Sequence, residues 1–339
     1  MLNVRKLNES IRSGYNFLNG SIQSSRFSAE LGFDDVFSRR CGLSSARDVI
    51  KSQTNLDLGF DMNQEVFSSM IGLGLLKNRL FKNLSRSWTK NCWNNRYRFF
   101  NQANGFAADT DCTAIAVTGL YKNNLLDNQK LFDTCSELMK AVPSHIHREQ
   151  SPELWENVPM VYWEDGLEPN VLSRGCKQDA GVVANVLLAM ELAIGEGYQE
   201  DKEIKDSSKR YLESFLKSED FIKGTRYYSP NVVLYYASYL GTVSRDYDNI
   251  KDIVSVLTAE TKPDNLLELA MQTIISDKIN VPNMDYEFVV DCFLKAQNPD
   301  GSWRACPFYT LGRKKLYFGS EGITTMFALK ALSIINSKV

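Results

Sequence analysis

The segment Ala107-Ala108-Asp109-Thr110-Asp111-Cys112-Thr113-Ala114 places two carboxylates two residues apart, with a thiol beside the second, at the entrance to an apolar run. Paired carboxylates are the raw material of acid–base chemistry, because burial and a like-charged neighbour each raise a carboxyl pKa. Read alone, the segment is more simply a helix entrance. Asp109 is then the N-cap, Asp111 lies in the first turn and Cys112 packs in the core. A second segment, Phe293-Leu-Lys-Ala-Gln297-Asn-Pro-Asp300-Gly301-Ser302-Trp303, ends a helix at Gln297 and turns through Pro-Asp-Gly toward a tryptophan. Its chemistry is structural, since Pro fixes φ and Gly relieves strain in the turn. Only two histidines exist, His145 and His147, so a mechanism built on several histidine ligands or bases has little to work with.

Helices must position these residues. Apolar residues recur at three- and four-residue spacing over 8–19, 63–77, 111–122, 129–141, 180–196, 204–217, 230–241, 249–258, 264–277, 284–297 and 320–336, whereas strand-like alternation is scarce. Four of these helices share one design, starting at Glu65, Asp111, Asp179 and Glu321. Each opens on a carboxylate, continues with small and branched residues and ends rich in leucine. The carboxylate faces the positive end of the helix dipole. Small residues allow neighbours to pack on several sides, as expected of inner helices in a double ring. Segments 84–108 and 142–178 show no clear helical period and are rich in aromatic rings, so they read as long connections folded over something. The apolar stretch Gly181–Ala193, interrupted by Asn185 and Glu191, is too short to span a bilayer.

Composition narrows the classes further. The chain has 339 residues, 43% hydrophobic and 24% charged, with Lys+Arg 39 against Asp+Glu 41 and a net charge of −2. That balance argues against a nucleic-acid partner and against disorder. The seven cysteines form no CxxC pair and the N-terminus has no secretory pattern, so a reducing, cytoplasmic setting is expected.

The two segments together resemble a family. Gln297-x-x-Asp300-Gly301-Ser302-Trp303 is similar to the QW repeat of squalene-hopene and oxidosqualene cyclases, and Asp109-Thr110-Asp111-Cys112-Thr113-Ala114 to their DxDD-type acid motif. The paired acids resemble the squalene-hopene form, and Asp-Cys-Thr-Ala the oxidosqualene form. The departure is size: those cyclases usually hold two or more barrels, and this chain has room for one. It is most similar to single-domain members that act on a prenylated dihydroxybenzoate.

The resemblance implies one all-α domain over 1–339, a single α/α toroid (an α6–α6 barrel) of about twelve helices. It also implies a class II terpene (meroterpenoid) cyclase: proton-initiated cationic polycyclisation of a linear prenylated arene, an isomerase-type reaction without metal or other cofactor. By motif match Asp111 is the proton donor, Cys112 its hydrogen-bonding neighbour and Asp109 the partner acid, with Asp109 as reserve donor. Phe106, Trp155, Tyr162, Trp163, Tyr227, Tyr228, Tyr309, Tyr317 and Phe318 lie in connections and as a set could line a cation-stabilising pocket. Arg174, Lys177 or Arg313 could anchor an aryl carboxylate head. A greasy substrate implies peripheral membrane contact, though no stretch is amphipathic enough to mark the surface.

Three rivals stand beside this reading. Protein prenyltransferase β-subunits share the toroid but bind zinc through Asp, Cys and a later His, and no His follows His147. A non-catalytic toroid binding module would keep the QW turn and lose the acids. A diphosphate substrate retaining its head would want a basic cluster, of which Arg313-Lys314-Lys315 is the nearest instance. The DDxxD signature of metal-dependent terpene synthases is missing, since Asp34-Asp35-Val36-Phe37-Ser38 lacks the later acid.

Overall fold

The computed structural model describes residues 4–21, 30–32, 40–41, 48–52, 55, 64–101, 105–282, 284–310, 312 and 316–339. Its helices are α1 (Val4–Ser21), α2 (Phe67–Leu75), α3 (Arg79–Lys90), α4 (Thr110–Lys122), α5 (Asn128–Met139), α6 (His145–Gln150), α7 (Ala180–Gly195), α8 (Lys202–Leu216), α9 (Pro230–Val243), α10 (Asp248–Glu260), α11 (Leu266–Ile279), α12 (Tyr286–Ala296) and α13 (Glu321–Asn336). The expected inner helices are inner. α2, α4, α7, α9, α11 and α13 each pack on the next, and α13 closes back onto α2. They are apolar almost all round. Every residue from Thr110 to Leu120 in α4, and from Ala180 to Glu191 in α7, is buried, the condition for a helix with neighbours on every side.

α1, α3, α5, α8, α10 and α12 form the outer ring and bury one stripe each. In α10 that stripe is Ile250, Val254 and Thr258, at i, i+4 and i+8. Each outer helix carries the chain back, so the inner helices run parallel with their N-termini at one mouth. The starts of adjacent inner helices accordingly meet: Ser229 and Asn231, at the start of α9, both hydrogen-bond Glu268 in the first turn of α11 (2.9 and 3.0 Å). This is the α/α toroid expected from the sequence.

Two expectations need correction. The connection placed at 84–108 begins with α3, and the one at 142–178 contains α6. α3 is hard to see because only Phe81 and Trp88 of its apolar residues are fully buried, among many charged and polar ones, and α6 buries nothing. Four short strands also escaped the pattern: β1 (Glu30–Gly32), β2 (Arg40–Cys41), β3 (Tyr309–Thr310) and β4 (Tyr317–Gly319). They make an antiparallel sheet in the order β2-β1-β4-β3, with Leu31 opposite Phe318 and Tyr309 opposite Phe318 on the other side. Strands of two or three residues are too short for periodicity to register.

The turn at Gln297–Trp303 ties three helices. Gln297 donates from Nε2 to the carbonyls of Ser10 in α1 (3.0 Å) and Gly301 (2.9 Å). Trp303, fully buried, donates from Nε1 to the Phe293 carbonyl of α12 (2.9 Å). Its backbone N–H reaches Thr325 Oγ1 of α13 (3.1 Å). Gly301 has φ +91°, and a Cβ there would sit 2.3 Å from the Ser13 carbonyl oxygen, so the position admits only glycine. No helix among the described residues is long and apolar enough to cross a membrane.

Candidate active site

The mouth formed by the inner N-termini carries the acids. Asp109 is the N-cap of α4, its Oδ1 accepting the Cys112 N–H at 2.6 Å. The strand-like residues around it lock this helix start in place. Asp109 bridges to Tyr162, Thr110 N–H donates to the Val161 carbonyl (2.9 Å), and Thr110 Oγ1 donates to the Met160 carbonyl (2.8 Å). Tyr97 N–H donates to Thr113 Oγ1 at 2.9 Å. Both long connections thus clamp the first turn of α4, and this is what they fold over.

Asp109 and Asp111 are buried, at 5% and 6% exposure. Asp111 accepts two hydrogen bonds from distant residues: Asn185 Nδ2, in the second turn of α7, reaches Oδ1 at 2.8 Å, and the Tyr228 hydroxyl, just before α9, donates to Oδ2. Burial raises the Asp111 pKa to about 7, with Asp109 adding to the rise and the Tyr228 and Asn185 donors opposing it. Burial likewise raises Asp109 to about 6, against the Cys112 N–H and thiol. The Cys112 thiol is pushed well up by burial and by Asp109, so it stays protonated. The pair is therefore built to hold a proton near neutrality, with hydrogen-bond donors in place for the carboxylate that remains when the proton leaves.

A cavity of about 1520 Å³ opens beside the acids, lined among others by Lys177, Asp179, Arg226, Tyr228, Phe308 and Tyr309. Neither Asp109 nor Asp111 is part of its lining. Tyr228 alone among the partners of Asp111 reaches it. Behind Tyr228 the rings are continuous. Tyr228 meets Tyr236 (5.4 Å between centroids) and Phe308 (6.1 Å), Phe308 meets Phe327 (5.8 Å), and Tyr309 stacks on Phe318 (5.0 Å, 10° between planes).

The residues singled out from sequence separate into groups. Tyr162 lies on the Asp109 bridge and is buried; Tyr309 and Tyr317 line the cavity, and Phe318 backs Tyr309. Phe106 lies under the Arg174 guanidinium (4.5 Å), which also faces Tyr162 (5.8 Å). Tyr227 is partly buried, close enough to Tyr162 and Asp179 to feel their charge. Two rings lie elsewhere. Trp155 is 39% exposed and touches Tyr211 at 5.5 Å. Trp163 stacks on Arg96 (4.5 Å) and donates from Nε1 to the Glu137 carbonyl (2.8 Å). That arginine is buried and paired with Glu137 (2.5 Å) and Asp165 (2.6 Å), so Trp163 serves the anchoring of the connection onto α5. Cys112 also differs in its partner: it attends Asp109, while Asp111 relies on Asn185 and Tyr228. Asn185 was missed; its one signal was a polar residue inside an apolar run. Arg313, with Lys314, Lys315, Asp34 and Asp35, lies outside the described residues.

Three comparisons bear on this architecture. No family model and no curated protein matches the sequence. Among solved structures, a variant of the type II terpene cyclase MstE from Scytonema, in complex with geranylgeranyl dihydroxybenzoate as substrate, superposes with a TM-score of 0.62 over 99% of both chains at 10% identity. The apo form of MstE gives 0.60 over 98% of each chain at 11% identity. A protein from Actinoplanes gives 0.63 over 97% of this chain and 99% of the other at 12% identity. At these identities the likeness is one of fold, and it runs end to end: the chain shares the α/α-barrel architecture of a type II terpene cyclase.

Proposed function

We propose that this protein is a class II terpene cyclase, one domain over the whole chain, that protonates an alkene of a linear prenylated arene and closes rings in a cationic cascade. The observation that carries the reading is the buried acid pair Asp109/Asp111 with the Asn185 and Tyr228 donors on Asp111, set beside a large cavity of mixed polar and apolar lining whose wall includes Tyr228, Phe308, Tyr309 and Tyr317. The fold likeness supports it, because variants of MstE have been solved in complex with geranylgeranyl dihydroxybenzoate as substrate and with merosterolic acid A as product.

In this reading Asp111 is neutral at rest. An alkene is a very weak base, so the acid must keep its proton until carbon takes it. Tyr228 joins Asp111 to the cavity, and the proton leaves by way of its hydroxyl. With Asp111 protonated, Oδ2–H donates to the Tyr228 oxygen and frees the phenolic O–H to point at the alkene. The carbocation then propagates past ring faces, each worth about 2 kcal/mol when desolvated. Loss of a proton ends the cascade, so substrate and product are isomers.

The head end belongs to Arg174, Lys177 and Arg226. Among the described residues none of the three is ion-paired with a carboxylate, although Glu164 is near. Its oxygens accept from Ser173 Oγ and the Arg174 N–H (2.5 and 2.6 Å). Lys177 is lowered to about 8 by burial and then by Arg226 and Arg174. Lys177 and Arg226 line the cavity, with Arg174 next to Lys177 over Phe106, and cations so placed suit an anionic head, either an aryl carboxylate or a diphosphate. The test is incubation of purified protein with geranylgeranyl dihydroxybenzoate and, separately, geranylgeranyl diphosphate, each with magnesium or with chelator. The expected result is a cyclised isomer from the arene, insensitive to magnesium and absent with Asp111→Asn. If every linear isoprenoid is returned unchanged, the proposal is wrong.

A further inference from the structure

We infer that Asp179 is a third acid of this reaction, the one that returns a proton to Asp111 after each turnover; the inference rests on the cyclase reading above. Asp179 is the N-cap of α7. Its Oδ1 does the capping, accepting the N–H groups of Gly181 (3.0 Å) and Val182 (3.5 Å). A cap needs only that oxygen, and its second oxygen ordinarily meets water. Here Asp179 is 2% exposed and lines the cavity, and its Oδ2 is buried with no hydrogen bond of ordinary geometry, the Thr225 hydroxyl and the Tyr227 N–H standing near the carboxyl group. A buried carboxylate oxygen short of a well-formed hydrogen bond is costly when ionised and less so when protonated. Burial raises the Asp179 pKa in the same sense, with the Thr225 hydroxyl and the N–H groups of Gly181, Val182 and Tyr227 opposing the rise.

The position relative to Asp111 makes the assignment specific. Tyr228 lines the same cavity and holds Asp111 through its hydroxyl. The first turn of α7 presses on the Tyr228 ring: a Cβ on Gly181 would lie 2.6 Å from Tyr228 Cδ2 and 3.3 Å from Asp179 Oδ1. The charge of Asp179 acts on both Tyr228 and Asp111. Asp179 therefore flanks the same tyrosine from the cavity side.

The chemistry requires such a group. Protonating the alkene leaves Asp111 as a carboxylate, and the cascade ends by releasing one proton into the cavity. Asp179, protonated at rest, gives its proton, by way of cavity solvent, to the Tyr228 oxygen as Tyr228 gives its own proton to Asp111 Oδ2. One O–H bond breaks and one forms at the tyrosine, the negative charge moves from Asp111 to Asp179, and the proton released at the end of the cascade neutralises it there. No oxidant, reductant or metal enters the balance.

The test compares wild type with Asp179→Asn, which keeps the cap, on geranylgeranyl dihydroxybenzoate in ordinary and heavy water. With enzyme in excess the first turnover should stay within about twofold of wild type, because the enzyme starts loaded. The steady-state rate should fall about tenfold or more and acquire a larger solvent isotope effect. A steady-state rate unchanged from wild type overturns the inference, as does an equal loss in both regimes. Asp179→Ser, also a capping residue, replaces the first variant if that one does not fold, and failure of both to fold would assign Asp179 to structure alone. A wild-type enzyme that leaves the substrate unchanged overturns the cyclase reading and this inference with it.

Discussion

Asp111 exchanges solvent for two fixed donors, and that exchange governs its behaviour. Replacing it by Asn keeps the shape and removes the proton, so Asp111→Asn should lower kcat by about 10²–10⁴-fold while leaving the helical circular dichroism intact. Because the protonated form is the active one, the rate should be full below about pH 6 and decline as pH rises through about 7. Stability has the same sign. The folded pKa values, about 6 for Asp109 and about 7 for Asp111, lie above their ordinary value of 3.8. Between those limits the folded protein keeps protons that the unfolded chain has lost, so unfolding free energy falls as pH rises from about 4 to about 7. Urea denaturation at a series of pH values should show that slope, and Asp111→Asn should flatten it. A slope unchanged in the variant would mean that Asp111 is ionised in the folded state.

At the level of elements, the Gln297–Trp303 turn is where the last outer helix is fastened to both ends of the chain. Trp303→Ala removes a fully buried indole together with its bond to the Phe293 carbonyl, and should cost about 3–5 kcal/mol of unfolding free energy. Gly301→Ala combines a left-handed backbone with a clash against Ser13, and should cost about 1–3 kcal/mol. Both losses belong to the denaturation midpoint. Neither residue lies in the cavity lining, so the turnover number of the folded fraction should stay near wild type. The acid helix α4 is fastened differently, by the connections over Met160–Tyr162 and Tyr97, so mutations there affect stability and chemistry together.

For the whole molecule, the parallel inner ring gathers six helix N-termini at one mouth. The positive dipole ends there favour carboxylates and anions. Acids at the starts of inner helices (Glu65, Asp111, Asp179, Glu268 and Glu321) and the cations Arg174, Lys177 and Arg226 occupy the same end. In the proposed reaction the mouth therefore holds both the acid and the polar head, and the prenyl chain folds between them. Arg226→Ala should raise KM for a carboxylate-bearing arene about tenfold and leave KM for its decarboxylated analogue nearly unchanged. Equal effects on the two substrates, measured by steady-state kinetics, would separate Arg226 from the head group.

The sequence alone determined the helical rings. Inner helices must be apolar on every face, and outer ones on a single stripe, so their roles are written in composition and period, as in α7 against α10. It also marked Asp109 and Asp111, since the two acids are adjacent in a short motif at a helix start. Tertiary structure alone decided which groups serve them. Asn185 and Tyr228 stand 74 and 117 residues from Asp111, and they meet it because parallel helices bring their N-terminal ends to one level. It also decided that Trp163 belongs to the buried Arg96 rather than to the cavity, since an aromatic ring in a connection looks the same in sequence whether it faces an ion pair or a void. Short motifs survive in one dimension; partnerships across the ring depend on how the barrel closes.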